Sequence, residues 1–195
     1  MGIYLNPGAG QFLTARSSKI YVDKTMLLRG LDEVFGTEQR FVCVSRPRRF
    51  GKTMAANMVC AYYDRTVTED VFSGLAIARA EGVSRGRRKC DVLRINMQEF
   101  LSRAQDMEGL LSRLQRIVLR DLLRAYTDVD YFDREDLVEC MRDVYRETQR
   151  HFVIVIDEWD CIFREYPHDA AAQRGYLDFL RDWLKDKEYI GLAYV

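Results

Sequence analysis

Phe41-Val42-Cys43-Val44-Ser45-Arg46-Pro47-Arg48-Arg49-Phe50-Gly51-Lys52-Thr53 is the stretch on which the reading of this chain turns. An apolar run with the pattern of a buried strand gives way to a short loop. The loop closes on Gly-Lys-Thr, and residues with apolar helical spacing follow. Strand, loop and helix in that order are the layout of a phosphate-binding P-loop. Successive backbone N–H groups of such a loop, with the first turn of the helix behind them, form a cradle for anions. On this reading Arg46, Pro47, Arg48, Arg49, Phe50, Gly51, Lys52 and Thr53 surround a nucleotide's phosphates. Lys52 reaches the β- and γ-phosphates, and the Thr53 hydroxyl ligates Mg²⁺. One position departs from the G-x-x-x-x-G-K-S/T pattern. Glycine is expected five residues before Gly51, and Arg46 stands there, followed by Pro47, which has no N–H to offer.

About a hundred residues on comes Phe152-Val153-Ile154-Val155-Ile156-Asp157-Glu158. Four consecutive β-branched residues running into two carboxylates read as a buried parallel strand with acids at its carboxyl end. Ligands of open α/β sheets bind outside the carboxyl ends of the strands. Asp157 is then the residue that holds Mg²⁺, and Glu158 the one that polarises an attacking water. The plainer alternative makes both acids the polar end of a core strand; a P-loop upstream, in the right order, favours the nucleotide.

Bulk properties narrow the class. A chain of 195 residues suggests one domain with a full core, and 48% apolar with 12% aromatic residues excludes a disordered chain. Lys+Arg and Asp+Glu each number 30, so no net field draws the chain to nucleic acid or to a membrane surface. No apolar run approaches a membrane span, and the N-terminus lacks a signal peptide's layout, so a cytoplasmic protein is expected. Five cysteines (43, 60, 90, 140, 161) lie far apart without a C-x-x-C pair; Cys43 and Cys60 fall on apolar positions, and reduced, buried thiols follow.

In chain order, Asn6-Pro7-Gly8 and Gly10 open the sequence as turn and loop, and Ile20-Tyr21-Val22 is a short extended piece. Asp23 is placed to cap a helix through Met26, Leu27, Leu31 and Val34 that ends near Gly36. Strands are expected over 40–45, 92–96, 152–157 and 189–195. Helices are expected over 53–63, from Asp106 through Leu122, from an Asp133 cap through Tyr145, and over about 170–187. Residues 64–89 are the least regular part, with Arg85-Gly86-Arg87-Arg88-Lys89 as a basic loop whose default state is solvation.

Tyr21-Val22-Asp23-Lys24-Thr25, Ser45 through Thr53, Tyr62-Tyr63-Asp64 and Ile156-Asp157-Glu158-Trp159-Asp160 together resemble the predicted AAA-ATPase-like family of bacterial P-loop proteins. The R-P-R-R-F-G-K-S/T loop is that family's hallmark, so the resemblance makes Arg46 the family's own variation. Trp159 stands where the family more often has tyrosine. The resemblance implies an α/β, three-layer P-loop NTPase with a mainly parallel central sheet, in which strand 189–195 inserts between the acidic strand and 41–45. It also implies ATP and Mg²⁺ as ligands, and a pocket for adenine to which Asp23 and Lys24 are candidate contributors. Arg48 and Arg49 either add charge over the phosphates, or point to solvent or pair with acids.

The apolar run at 189–195 stops in mid-strand, so the chain reads as truncated after its fourth core strand. The expected organisation is one domain over 1–195, with an N-terminal segment and helix over 1–39 and a P-loop core over 40–195. It forms the N-terminal part of a longer protein whose C-terminal domain, by resemblance, is PD-(D/E)XK nuclease-like. The expected activity is slow Mg²⁺-dependent ATP hydrolysis, as a switch or motor for that domain, with homo-oligomerisation as a further option. The competing readings are a non-hydrolysing nucleotide-binding module and a P-loop small-molecule kinase; Glu158, as a water-directing group, argues against the kinase.

Overall fold

Four apolar segments pair into one parallel sheet, and eight α-helices cover its two faces, in the computed structural model, which describes residues 2–45, 50–82 and 84–195. The strands are β1 (Phe41–Val42), β2 (Asp91–Asn96), β3 (Phe152–Asp157) and β4 (Ile190–Tyr194), and their order across the sheet is β1-β4-β3-β2. The last strand therefore inserts between the acidic strand and the one leading to the Gly-Lys-Thr loop, as the resemblance implied. Pairing of β1 with β4 runs past the two-residue core of β1. Val44 N–H donates to Val195 at 2.7 Å, and Val195 N–H donates to Val42 at 2.9 Å.

Side-chain alternation along the strands builds the three layers. Phe152, Ile154 and Ile156 of β3 enter one apolar cluster with Leu93, Ile95 and Ala193. That cluster is closed by α5 (Met107–Ala125), α6 (Leu137–Thr148) and α8 (Ala170–Leu184). Val153, Val155, Val92, Leu192 and Tyr194 face the other way, into a cluster with α1 (Gly10–Arg16), α2 (Leu27–Val34) and α3 (Lys52–Tyr63). Every residue of β3 is buried. Each such Val or Ile contributes about 1.5–3 kcal/mol on removal from water, which is why this strand and no polar one lies at the centre. Gly191 in β4 is required by a close approach: a Cβ there would lie 2.5 Å from Phe35 Cζ.

Several local expectations are corrected. The N-terminal stretch is more than turn and loop: Leu5 bridges Leu93 antiparallel at the outer edge of β2, and α1 follows. Three buried carboxylates hold that stretch. Asp121 accepts from Tyr4 N–H at 2.8 Å, Asp91 from Asn6 Nδ2 at 2.7 Å and Asp64 from Gly8 N–H at 2.7 Å. The last of these gives the Tyr62-Tyr63-Asp64 motif a structural job, and both tyrosine hydroxyls donate to Asp32. Residues 20–22 form no strand. The cap of α6 is Asp136, which accepts from Glu139 N–H at 2.9 Å, because Asp133 is spent on Glu135 N–H in the turn before it. α8 ends at Leu184, earlier than expected. Cys43 is exposed, since β1 is the sheet's edge strand; the other four thiols are buried. Burial pushes Cys60 and Cys90 up to about 12, so they stay protonated and unreactive.

The arginines of the basic loop are engaged internally, with Arg85 donating to the Phe35 carbonyl at 3.4 Å. Arg87 pairs with Asp70 at 3.1 Å and lies over the Tyr62 and Phe72 rings, while Arg88 donates to the Thr68 and Glu69 carbonyls.

Asp91 is fully buried and also accepts from Arg65 Nε at 2.8 Å and from the Tyr126 hydroxyl. Asp91→Ala would strand an arginine, a phenol and an amide together. Its expected cost is about 3–5 kcal/mol in a denaturant melt, the scale for breaking a buried pair; a loss below about 1 kcal/mol would show that the cluster is not holding the N-terminal stretch.

Candidate active site

The sheet order sets the carboxyl ends of β1, β4 and β3 side by side, and α3 begins there. Gly51 caps α3 at φ 81°, in the left-handed region that a side chain disfavours, and Lys52 is the first helical residue. Lys52 is half-buried; Thr53, next along the first turn, is exposed. Arg46, Pro47, Arg48 and Arg49 lie outside the described residues. A narrow cavity of about 20 Å³ at this edge is lined by Val44, Lys52, Ala56, Ile156, Asp157, Glu158, Trp159, Tyr194 and Val195. Two stretches about a hundred residues apart in the chain thus line one cavity.

Asp157 is 5% exposed. Its Oδ1 accepts from Glu158 N–H at 3.1 Å. Its Oδ2 has no hydrogen bond and faces Arg94 Nη2 of β2 at 3.6 Å. A buried carboxylate oxygen without a hydrogen bond suits a hard divalent cation. Mg²⁺ takes one or two carboxylates and fills its remaining positions with water and phosphate oxygens. Glu158 follows at φ 54°, a left-handed backbone that costs a non-glycine residue about 1–2 kcal/mol. Its Oε2 accepts from Arg164 at 2.7 Å, and the other arm of the same guanidinium reaches Asp160 at 2.7 Å. Arg164 lies on α7 (Cys161–Glu165), a five-residue helix that follows the acidic strand.

A larger cleft of about 280 Å³ adjoins Gly51, lined by Ile20, Tyr21, Val22, Lys24, Phe50, Gly51, Met54, Ala55 and Met58. Residues 21–25 alternate in what they serve. Tyr21, Val22 and Lys24 line the cleft, and Lys24 Nζ donates to the Phe50 carbonyl at 3.3 Å. Asp23 and Thr25 turn away. Asp23 accepts from the Thr25 N–H and hydroxyl at 2.8 and 2.6 Å and from Ala76 N–H at 2.7 Å, while Thr25 Oγ1 accepts from Ile77 N–H at 3.1 Å. Partial burial opposes ionisation of Asp23, but these hydrogen bonds outweigh it and hold the carboxyl below its ordinary value. Asp23 is therefore neither the cap of α2, whose N-cap is Met26, nor a residue lining the cleft. Its two oxygens brace residues 76–77 against the 21–25 turn.

Sequence reasoning missed Arg94 and Arg164. Arg94 stands between Leu93 and Ile95 in the middle of β2, a charged residue among apolar neighbours, which is a signal. Arg164 stands four residues after Asp160, the spacing of a helical ion pair.

A parallel α/β sheet, acids at a strand's carboxyl end and a glycine-capped helix beside them are consistent with a P-loop-like fold. The chain belongs to the AAA-ATPase-like family, described as predicted AAA-ATPase, whose model matches residues 9–190. No curated protein and no solved structure matches the chain. Among the described residues no helix is long and apolar enough to cross a membrane.

Proposed function

We propose that the chain binds ATP with Mg²⁺ and hydrolyses it slowly, as a cytoplasmic switch or motor acting on a C-terminal domain. The observation that carries this reading is the cavity that gathers Lys52, Asp157 and Glu158 at one sheet edge. Family membership supports the nucleotide.

On this reading each residue has a task. The first turn of α3 and the stretch before it, Arg46, Pro47, Arg48, Arg49, Phe50 and Gly51, take the phosphates. Lys52 meets the β- and γ-phosphates. Thr53 and Asp157 hold Mg²⁺, which when bound neutralises charge developing on the phosphate oxygens. Glu158 accepts a proton from water as its oxygen attacks the γ-phosphorus; the bond to the bridging oxygen breaks, and ADP and phosphate leave. The adjoining cleft takes the base. Met54, Met58, Ala55 and Tyr21 offer apolar contact of the kind that holds planar ligands, and Lys24 stands between cleft and loop as an additional cation.

The test is phosphate release by the chain with ATP in excess Mg²⁺ and after chelation. Slow turnover that disappears with the metal is the expected result. ATP held without phosphate release would hand the site to the non-hydrolysing module.

A further inference from the structure

Resting on that reading, we infer that Arg164 is the positioning residue for Glu158: its guanidinium bridges Glu158 and Asp160 and thereby fixes the carboxylate that receives the proton from water. The two contacts use different arms of one planar group, Nη2 to Glu158 Oε2 and Nη1 to Asp160 Oδ2, each at 2.7 Å. A fork of this kind sets direction as well as distance, which a single-point ammonium does not. Only one oxygen of Glu158 is used. Its Oε1 has no hydrogen bond to protein among the described residues, so the pairing leaves an acceptor on the same carboxylate.

Three further observations separate a built device from a chance surface pair. Glu158 is presented on a left-handed backbone, so the chain accepts strain at the residue whose direction matters. The helix carrying Arg164 is anchored from below by buried Cys161 and Ile162, and from the side by Phe163. That ring meets Trp159 edge-on at 5.8 Å and Tyr176 at 6.3 Å. Arg164 Nε is itself buried without a hydrogen bond, so the guanidinium sits where its two acids place it, at the cost of one unsatisfied donor. Asp160 is part of the device because it holds the second arm of the guanidinium and so sets its direction.

Arg164→Ala frees Glu158 to sample several rotamers. Misplacing a reacting group by about an ångström costs up to about 10²-fold in rate, so kcat should fall about 10- to 100-fold. The Kd for ATP, measured by calorimetry, should stay within about twofold, because Arg164 does not line the phosphate site. Arg164→Lys should recover part of the loss. In a Glu158→Gln background the Arg164→Ala change should have no further effect. The inference is overturned if Arg164→Ala turns over at the wild-type rate or faster, which would make the contact inert or a brake. It is overturned equally if ATP affinity falls with kcat, or if the two changes multiply. Should Arg164→Ala fail to fold, Arg164→Lys and Asp160→Asn carry the same test, each lowering kcat with affinity kept. If Glu158→Gln alone retains wild-type kcat, the assignment of Glu158 as the proton acceptor fails, and the role given to Arg164 falls with it.

Discussion

Replacing Lys52 by alanine removes most of the affinity for ATP and leaves the thermal midpoint close to that of the wild type. Lys52 starts α3 and lines the cavity at the sheet edge, and among the described residues its ammonium makes no hydrogen bond or ion pair. Truncation therefore breaks nothing that holds the fold, and alanine is a better helix former than lysine. The loss falls on the ligand. A charge-assisted hydrogen bond is worth about 1.5–3 kcal/mol. Two such contacts, to β- and γ-phosphate oxygens, convert to a loss of about 10²- to 10⁴-fold in affinity. A folded Lys52→Ala variant that binds ATP with unchanged affinity would remove the Gly51-Lys52-Thr53 stretch from the phosphate site.

Glu158→Gln has the opposite profile. Glutamine keeps the shape of the side chain and can still contact Arg164 through its carbonyl oxygen, but it cannot take a proton. ATP should bind as before while turnover falls by about 10²-fold or more, the usual scale for a general base. Asp157→Ala should differ again. It removes a buried carboxylate with an oxygen free of hydrogen bonds, so Mg²⁺-dependent ATP binding weakens and metal-independent binding does not. Equal effects of the two substitutions on binding would mean that the adjacent acids act as one metal site and that no water-directing group has been found.

Much of the frame is legible in the sequence. The run Val153-Ile154-Val155-Ile156 can bury both faces only at the centre of a parallel sheet, and the acids after it must then emerge at the ligand edge. The long helices declared themselves by apolar spacing over three turns or more, as in α5 from Met107 to Ala125. The five-residue helices α4 (Met97–Leu101) and α7 did not, because one turn is too short for a 3.6-residue period to stand out from chance. Arg164 went unnoticed with α7. Aspartates signal helix starts, and Asp106 caps α5 where the sequence places it. Asp23 and Asp133 satisfy N–H groups in turns, and only Asp106 and Asp136 cap helices by side-chain hydrogen bonds among the four. Asx turns and N-caps draw on the same chemistry, an oxygen accepting from an N–H two or three residues on, so local sequence does not separate them. Cys43 was misjudged because an apolar position in a strand is buried only if the strand has a neighbour's layer over that face, and β1 is at the edge.

The site was legible in its two motifs and illegible in its links. Lys52 and Asp157 could be named from spacing. That Lys24 touches the Phe50 carbonyl, that Asp23 braces residues 76–77, and that Glu158 is held by Arg164 all depend on tertiary neighbours that no window of sequence contains.

The central claim is that residues 51–53 and 157–158 form one site for ATP with Mg²⁺. Calorimetric titration of ATP into the chain in excess Mg²⁺ tests it most directly. One nucleotide bound per chain, with affinity that drops when the metal is chelated, is the result this account predicts. The absence of saturable binding, or binding indifferent to Mg²⁺, would contradict it.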